Sequence, residues 1–298
     1  QLWIKNPQEI FAEGDARGGF VISGDTIEEL VPTGAKPKTN FDRIFDASNH
    51  VVLPGLINTH HHFYQTLTRS APSALNKALF PWLKSLYPIW SKLTPEDIRI
   101  STKLSIAELL LSGCTTTADH HYVFPEGLED ALEIQYEEIV DSGIRATITR
   151  GSMCLGEEDG GLPPQTVIQS EDEIIHSSES AITRFHDPSP GAMVQVALAP
   201  CSPFSVTEAM MTGIADLAKK SGVRTHTHLA ETKDETVFCK ESFGLSPLDY
   251  LEKVNWLNNR TWLAHGIYFS DEEIDRLGKS KVGISHCPTS NLILGSGI

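Results

Sequence analysis

From Val51 onward, short runs of apolar or β-branched residues alternate with longer stretches of helical periodicity. The runs Val51–His60, Thr115–His121, Arg145–Gly151, Met193–Ser202, Arg224–Ala230, Thr261–Ile267 and Val282–Cys287 are expected to be strands. The clearest helix between them is Thr94–Ser112, where Thr94 can cap, Pro95 suits the first turn and Gly113 ends the run. Ser270-Asp271-Glu272-Glu273 reads as a capping box that opens another helix. Ala131–Ser142, Glu171–His186, Val206–Lys220 and Pro247–Val254 fill the remaining gaps.

Alternating strands and helices predict a parallel sheet. Seven such units fit most of a barrel whose functional residues sit at the strand C-termini. A barrel of this kind closes with eight strands, and seven would leave an unpaired edge. The expectation is therefore an α/β fold, a (β/α)8 TIM-type barrel whose eighth strand is missing from a truncated chain. Residues 1–50 read differently. Leu2–Lys5 and Gly18–Val31 form short strands, the second turning at Gly24-Asp25, and no helix of useful length is present. This is a small β-rich piece leading into Val51.

Composition limits the partners. With 298 residues, 40% of them hydrophobic, the chain can bury a large core. Its net charge of −15 argues against nucleic acid or an anionic membrane as partner. The five cysteines (Cys114, Cys154, Cys201, Cys239 and Cys287) are widely spaced and contain no Cys-x-x-Cys pair, which suits a reducing, cytoplasmic setting. There is no signal peptide and no apolar run of spanning length. The chain opens at Gln1 rather than Met, so its native N-terminus is expected upstream.

The chemistry lies in histidines at strand ends: His60-His61-His62, His226-Thr227-His228, His265 and His286. Imidazoles two apart on a strand share a face. His60 and His62 can thus grip one metal ion from one side, while His61 points away. His226 and His228 also share a face, and His228 is preferred because Glu231 follows it. Three histidines with an open fourth position suit catalytic zinc. A carboxylate beside such a centre can relay protons, although Glu231 could equally begin the next helix. His265 could orient a water, and His286 could bind substrate. Gln65 offers an amide edge and Arg150 a fork of donors, both suited to a heterocycle. His120, His121 and Tyr122 end a strand with no assigned role, and His50, His176 and His186 read as solvent-exposed. Cys287 reads as a buried thiol, and the aromatic stretch from Phe80 to Trp90 as core or lid packing.

Taken together, Pro-Gly-Leu-Ile-Asn-Thr-His-His-His (54–62), His-Thr-His-Leu-Ala-Glu (226–231), Ala-His-Gly (264–266) and His-Cys-Pro-Thr-Ser-Asn (286–291) resemble the amidohydrolase superfamily, in its cytosine/guanine deaminase-like branch. His62-Phe-Tyr-Gln65, residues 113–120, Arg-Gly-Ser-Met (150–153) and residues 199–205 are similar to the 8-oxoguanine deaminase group, with isoxanthopterin deaminases and hydroxyatrazine-type aminohydrolases nearby. The resemblance implies that residues 1–52 are the N-terminal part of a small β-sandwich domain and 53–298 a metal-dependent barrel. It implies one divalent metal, zinc or else iron, on His60, His62 and His228. Glu231 would protonate a ring nitrogen as water attacks the amino-bearing carbon, with His265 holding that water. Gln65, Arg150 and His286 would contact a small heterocycle, giving a ring carbonyl and ammonia. A homo-oligomer is implied as well. The aspartate that the family carries on strand eight has no counterpart here. Met193–Ser202 holds no lysine, which disfavours a two-metal site. The expectation from another class is a metal-binding remnant without turnover.

Overall fold

The computed structural model describes residues 1–297, and the chain divides into two compact units, Gln1–Leu56 and Ile57–Ile298. The first unit holds β1 (Leu2–Lys5), β2 (Glu9–Ile10), β3 (Gly19–Ser23), β4 (Thr26–Val31), β5 (Arg43–Asp46) and β6 (Val51–Val52). Four strands form one sheet in the order β4-β3-β1-β5, and β2 pairs with β6. The β3–β4 hairpin turns at Gly24, whose φ of 60° suits a residue without a Cβ. Trp3, Val21 and Val31 are buried against Phe41. The Trp3 indole N–H donates to the Gly18 carbonyl at 3.1 Å, so its polar end is satisfied. β5 was not anticipated. All four of its residues are exposed, so it lacks the alternation that marks a half-buried strand.

The second unit is the barrel. Its strands are β7 (Leu56–His61), β8 (Cys114–Asp119), β9 (Arg145–Ser152), β10 (Val194–Pro200), β11 (Arg224–Leu229), β12 (Thr261–His265) and β13 (Gly283–Ser285). They lie in strict chain order as a nearly closed parallel sheet. Helices alternate with them: α1 (Leu79–Trp90), α2 (Pro95–Leu111), α3 (Ala131–Ser142), α4 (Glu171–Phe185), α5 (Glu208–Ser221), α6 (Lys233–Phe243), α7 (Pro247–Lys253), α8 (Asp271–Ser280) and α9 (Pro288–Leu294). The two sheet edges meet through side chains. The Thr59 and Ser285 hydroxyls lie 2.7 Å apart, and Ser285 Oγ also donates to the Thr59 carbonyl at 3.2 Å.

Two expectations about elements are corrected. The single strand Val51–His60 is in fact β6 and β7, separated by Leu53-Pro54-Gly55. Proline cannot donate to a ladder, so the pairing stops there. α1 was unforeseen because Pro88 sits inside it. Its Leu79, Leu83, Leu86, Tyr87 and Trp90 share a helical face and are buried with Phe63 and Tyr64, so this aromatic stretch is core.

The layer between sheet and helices carries most of the apolar burial. Leu198, Leu229 and Leu263, from three neighbouring strands, pack with Met211, Ile214, Leu251 and Trp256. Burying each leucine contributes roughly 1.5–3 kcal/mol. α2 carries the predicted cap as a full box: Thr94 Oγ1 accepts the Asp97 amide at 3.3 Å, and Asp97 Oδ2 accepts the Thr94 amide at 2.9 Å. Thr94→Ala is expected to lower stability by about 1 kcal/mol. Urea unfolding checks this, and an unmoved midpoint would mean the box contributes nothing.

Candidate active site

Strand register decides which residues face the bore. Leu198 pairs with Arg150 on one side and Thr225 on the other. Leu198 belongs to the helix-side core, so Arg150 and Thr225 share that outer face. Alternation then turns His226 and His228 inward. His226 pairs with Trp262 in the ladder, and their rings stack at 4.3 Å and 13°. Asp119 pairs with the core residue Ile148, so the next residue, His120, continues on the inner face.

The result is an imidazole cluster. His60, His62, His120 and His228 each offer a ligand atom, all within 4.8 Å of one another. Their hydrogen bonds fix the tautomers. A backbone carbonyl can only accept, so His62 Nδ1 donates to the His120 carbonyl at 2.6 Å and His228 Nδ1 donates to the Cys201 carbonyl at 2.6 Å. His226 Nδ1 donates to the Trp262 carbonyl at 2.9 Å, which leaves its Nε2 to accept from His60 Nδ1 at 2.8 Å. Nε2 of His60, His62 and His228 therefore each keep a free lone pair. His62 Nε2 and His228 Nε2 stand 3.1 Å apart, and neither has a proton to share.

His120 Nε2 donates to the Ala199 carbonyl at 3.0 Å, and its buried Nδ1 has no partner. Burial first, then the neighbouring imidazoles, hold the pKa of all four rings well below the usual histidine range, so they stay neutral. Neutral, convergent nitrogen lone pairs facing one another in a buried place are what a divalent cation satisfies.

A second donor group, His60, His265 and Cys287, shares His60 with the first. His60 has only Nε2 free, so the two groups compete for one ion. Cys287 Sγ lies 3.4 Å from the Ser285 carbonyl, and burial pushes its thiol up to about 11, which fits the reading of an unactivated thiol.

Glu231 lies just before the α6 cap residue Thr232 and is 4% exposed. Its Oε2 is 3.4 Å from His265 Nε2, and its Oε1 has no partner. Burial, then the neighbouring Glu235, raise its pKa to about 8, while burial lowers His265 to about 4. Both are neutral near pH 7. His265 Nδ1 donates to Asn291 Oδ1 at 2.8 Å, so its Nε2 keeps a free lone pair 3.4 Å from Glu231 Oε2. The ladder pairs His265 with Leu229, which would place it on the outer face. A left-handed backbone at His265 (φ 77°) re-aims the ring, just as Ala230 (φ 53°) re-aims Glu231.

The other expected site residues lie farther out. Gln65 follows β7, and its Nε2 donates to the Tyr64 and Tyr122 hydroxyls at 3.3 Å each. Tyr122 in turn stands edge-on to His62 at 5.4 Å. Arg150 is buried on the helix side of the sheet. Its Nε donates to Ser177 at 3.0 Å, its Nη2 to Gln169 at 2.6 Å and its Nη1 to the Gly151 carbonyl, with the guanidinium 3.9 Å over Phe124. His286 is exposed one residue past β13. His186, expected in solvent, is half-buried and accepts the Val196 amide at 3.0 Å.

The sequence model of the amidohydrolase family matches residues 51–298. The chain belongs to the amidohydrolase family. It is 57% identical over 300 residues to an 8-oxoguanine deaminase of Pseudomonas aeruginosa, covering 100% of this chain and 67% of that protein. It is 33% identical over 281 residues to an isoxanthopterin deaminase from an unknown prokaryotic organism, covering 93% of this chain and 58% of the relative. Among solved structures, an atrazine chlorohydrolase from Arthrobacter aurescens TC1 complexed with zinc superimposes with a TM-score of 0.92 at 28% identity, covering 100% of this chain and 68% of that one. The chain thus spans about three fifths to two thirds of the length of these amidohydrolases.

Proposed function

We propose that this amidohydrolase is a metal-dependent hydrolytic deaminase of a purine-like heterocycle, with 8-oxoguanine as its substrate, urate and ammonia as its products and zinc as its metal. One observation carries the chemistry: three imidazole lone pairs converge beside Glu231 and His265, whose side chains lie 3.4 Å apart. The 57% identity to an 8-oxoguanine deaminase supports the substrate, and the zinc-bearing neighbour supports the metal. Iron also suits nitrogen ligands and is the alternative.

In this reading His60, His62 and His228 hold the cation, and His120 Nδ1 is a further nitrogen within reach. The cation, when bound, supplies the charge that makes water nucleophilic at neutral pH. His226 orients His60, and backbone carbonyls orient His62 and His228. Glu231 carries a proton toward the ring nitrogen next to the amino-bearing carbon and passes one to the departing amine. His265, held by Asn291, orients the attacking water. Water adds to the C–NH2 carbon and ammonia leaves, so the ring gains a carbonyl. Gln65, Arg150 and His286 remain proposed substrate contacts. His286 is supported by its exposed place at the C-terminal end of β13, and Gln65 by its tie to Tyr122. Arg150 would act through the backbone of β9, since its fork faces the helices.

The proposal extends to setting and organisation. A reducing cytoplasm suits five free thiols, and a net charge of −15 suits a protein that leaves nucleic acid and anionic membranes alone. No helix among the described residues is long and apolar enough to cross a membrane. Residues 1–52 would belong to a small β-sandwich domain, 53–298 to the hydrolase barrel, and the assembly would be a homo-oligomer.

The test is ammonia release by the zinc-loaded protein from 8-oxoguanine, guanine, isoxanthopterin and hydroxyatrazine. We expect kcat/KM for 8-oxoguanine to exceed the others by about 10²-fold or more, since a site built for a polar edge rejects analogues lacking it. Faster turnover of another member would reassign the substrate. Stoichiometric metal with no turnover on any would leave a metal-binding remnant.

A further inference from the structure

Glu235 lies in the first turn of α6, is 1% exposed and belongs to none of the roles above. Its Oε2 accepts the backbone N–H of Glu231 at 3.0 Å, and its buried Oε1 has no partner. Ala230 is left-handed without being glycine, a conformation that needs support from its surroundings. Its carbonyl accepts the amides of Ile267 and Tyr268 at 2.9 and 3.0 Å, and the Leu229 carbonyl accepts the Gly266 amide at 3.0 Å. The stretch from Leu229 to Ala230 is thus stapled on its carbonyl side to the segment after β12. On its amide side the acceptor is Glu235, placed one helical turn beyond Glu231.

A buried carboxylate is costly unless it answers a specific need. Here the need is the buried Glu231 amide, which directly follows the bend at Ala230. Aspartate at 235 would fall short by one methylene, and an apolar residue would orphan the Glu231 amide. Glu235 makes no contact with the histidine cluster among the described residues, so it cannot act as a ligand. It acts on Glu231 through the backbone amide as well as through its charge.

We infer that Glu235 is a positioning residue: its carboxylate clamps the left-handed bend at Ala230 and so sets the Glu231 carboxyl against His265. The inference rests on the proposed role of Glu231, and the experiment separates the two. In Glu235→Ala, hydrogen–deuterium exchange over residues 229–232 is expected to rise about tenfold or more above wild type, because the local bend opens more often. Glu235→Gln keeps an acceptor oxygen and should restore most of the protection. In turnover, the Ala variant should lose about 10²-fold in kcat with KM changed less than about threefold, as expected when a proton-transfer group is misplaced rather than binding lost. Metal content should stay at the wild-type value in both variants.

Unchanged exchange in Glu235→Ala, or a Gln variant as unprotected as the Ala variant, overturns the clamp. If the Ala variant does not fold, the Gln variant decides alone: protection retained supports the clamp and protection lost refutes it. Failure of both to fold would make Glu235 a core residue and end the inference. Exchange is read without turnover, so absent ammonia release by wild type would sink the deaminase reading and leave this result standing.

Discussion

His228→Ala is expected to strip the protein of its metal and its turnover together. The lost imidazole supplies one of three convergent lone pairs and stands 3.1 Å from His62 Nε2. Outer partners of metal ligands already cost 10–100-fold in affinity when removed, and a ligand itself costs more. Ammonia release should fall by at least about 10³-fold, the scale of losing a main electrostatic stabiliser. The control is His61→Ala. His61 lies on β7 between His60 and His62 but faces away from them, packed against Phe63 at 5.2 Å. It should keep its metal, measured by elemental analysis of the dialysed protein. A His228→Ala protein that retains full metal would remove His228 from the ligand set, and a metal-free His61→Ala protein would reverse the assigned strand face.

If Glu231 is the proposed proton-transfer group, Glu231→Gln is expected to lose about 10²–10⁴-fold in kcat while keeping its metal, since no proposed ligand is removed. The pH profile gives an independent reading. Burial raises the Glu231 pKa from 4.5 to about 8, so the proton-donating form is present at neutral pH and disappears as pH rises through that value. Wild type should therefore show an alkaline limb in kcat at or below about pH 8, because a nearby cation favours the carboxylate. Glu231→Gln should lack that limb. The same shift acts on stability with a definite sign. A carboxyl whose folded pKa is raised favours the fold fully below pH 4.5, and the contribution fades as pH climbs from there to about 8. A Gln variant with wild-type kcat, or with an unmoved limb, would place the acid elsewhere.

Much of this site is legible in the sequence because strand alternation is a strict rule. His-x-His at 60–62 and at 226–228 announces two inward pairs, and the alternating strands announce the parallel sheet that brings them together. His226 differs from His228 in that its two nitrogens are taken up by His60 and the Trp262 carbonyl. Register was not legible. Without knowing that Asp119 pairs with Ile148, the inward turn of His120 has no signal. Nor does an arginine at a strand end announce the outer face, which is where pairing with Leu198 puts Arg150. The bends at Ala230 and His265 are harder still. Both residues adopt a backbone conformation that their side chains disfavour, and local propensity predicts against each. Only the surrounding hydrogen bonds, set by distant segments, make them stable. Asn291, which orients His265, comes from a helix that the sequence reading left out.

The strand order has a consequence for how the barrel resists unfolding. β7 and β11 are separated by three other strands in the sheet, yet their histidines meet across the interior. An ion shared by them acts as a tie-rod through the hollow of the ring, bracing walls that no backbone ladder connects. Because ion binding favours only the assembled ring, durability becomes a property of the surrounding solution as much as of the polypeptide. Scarcity of the ion loosens the architecture at the same moment that it silences the chemistry.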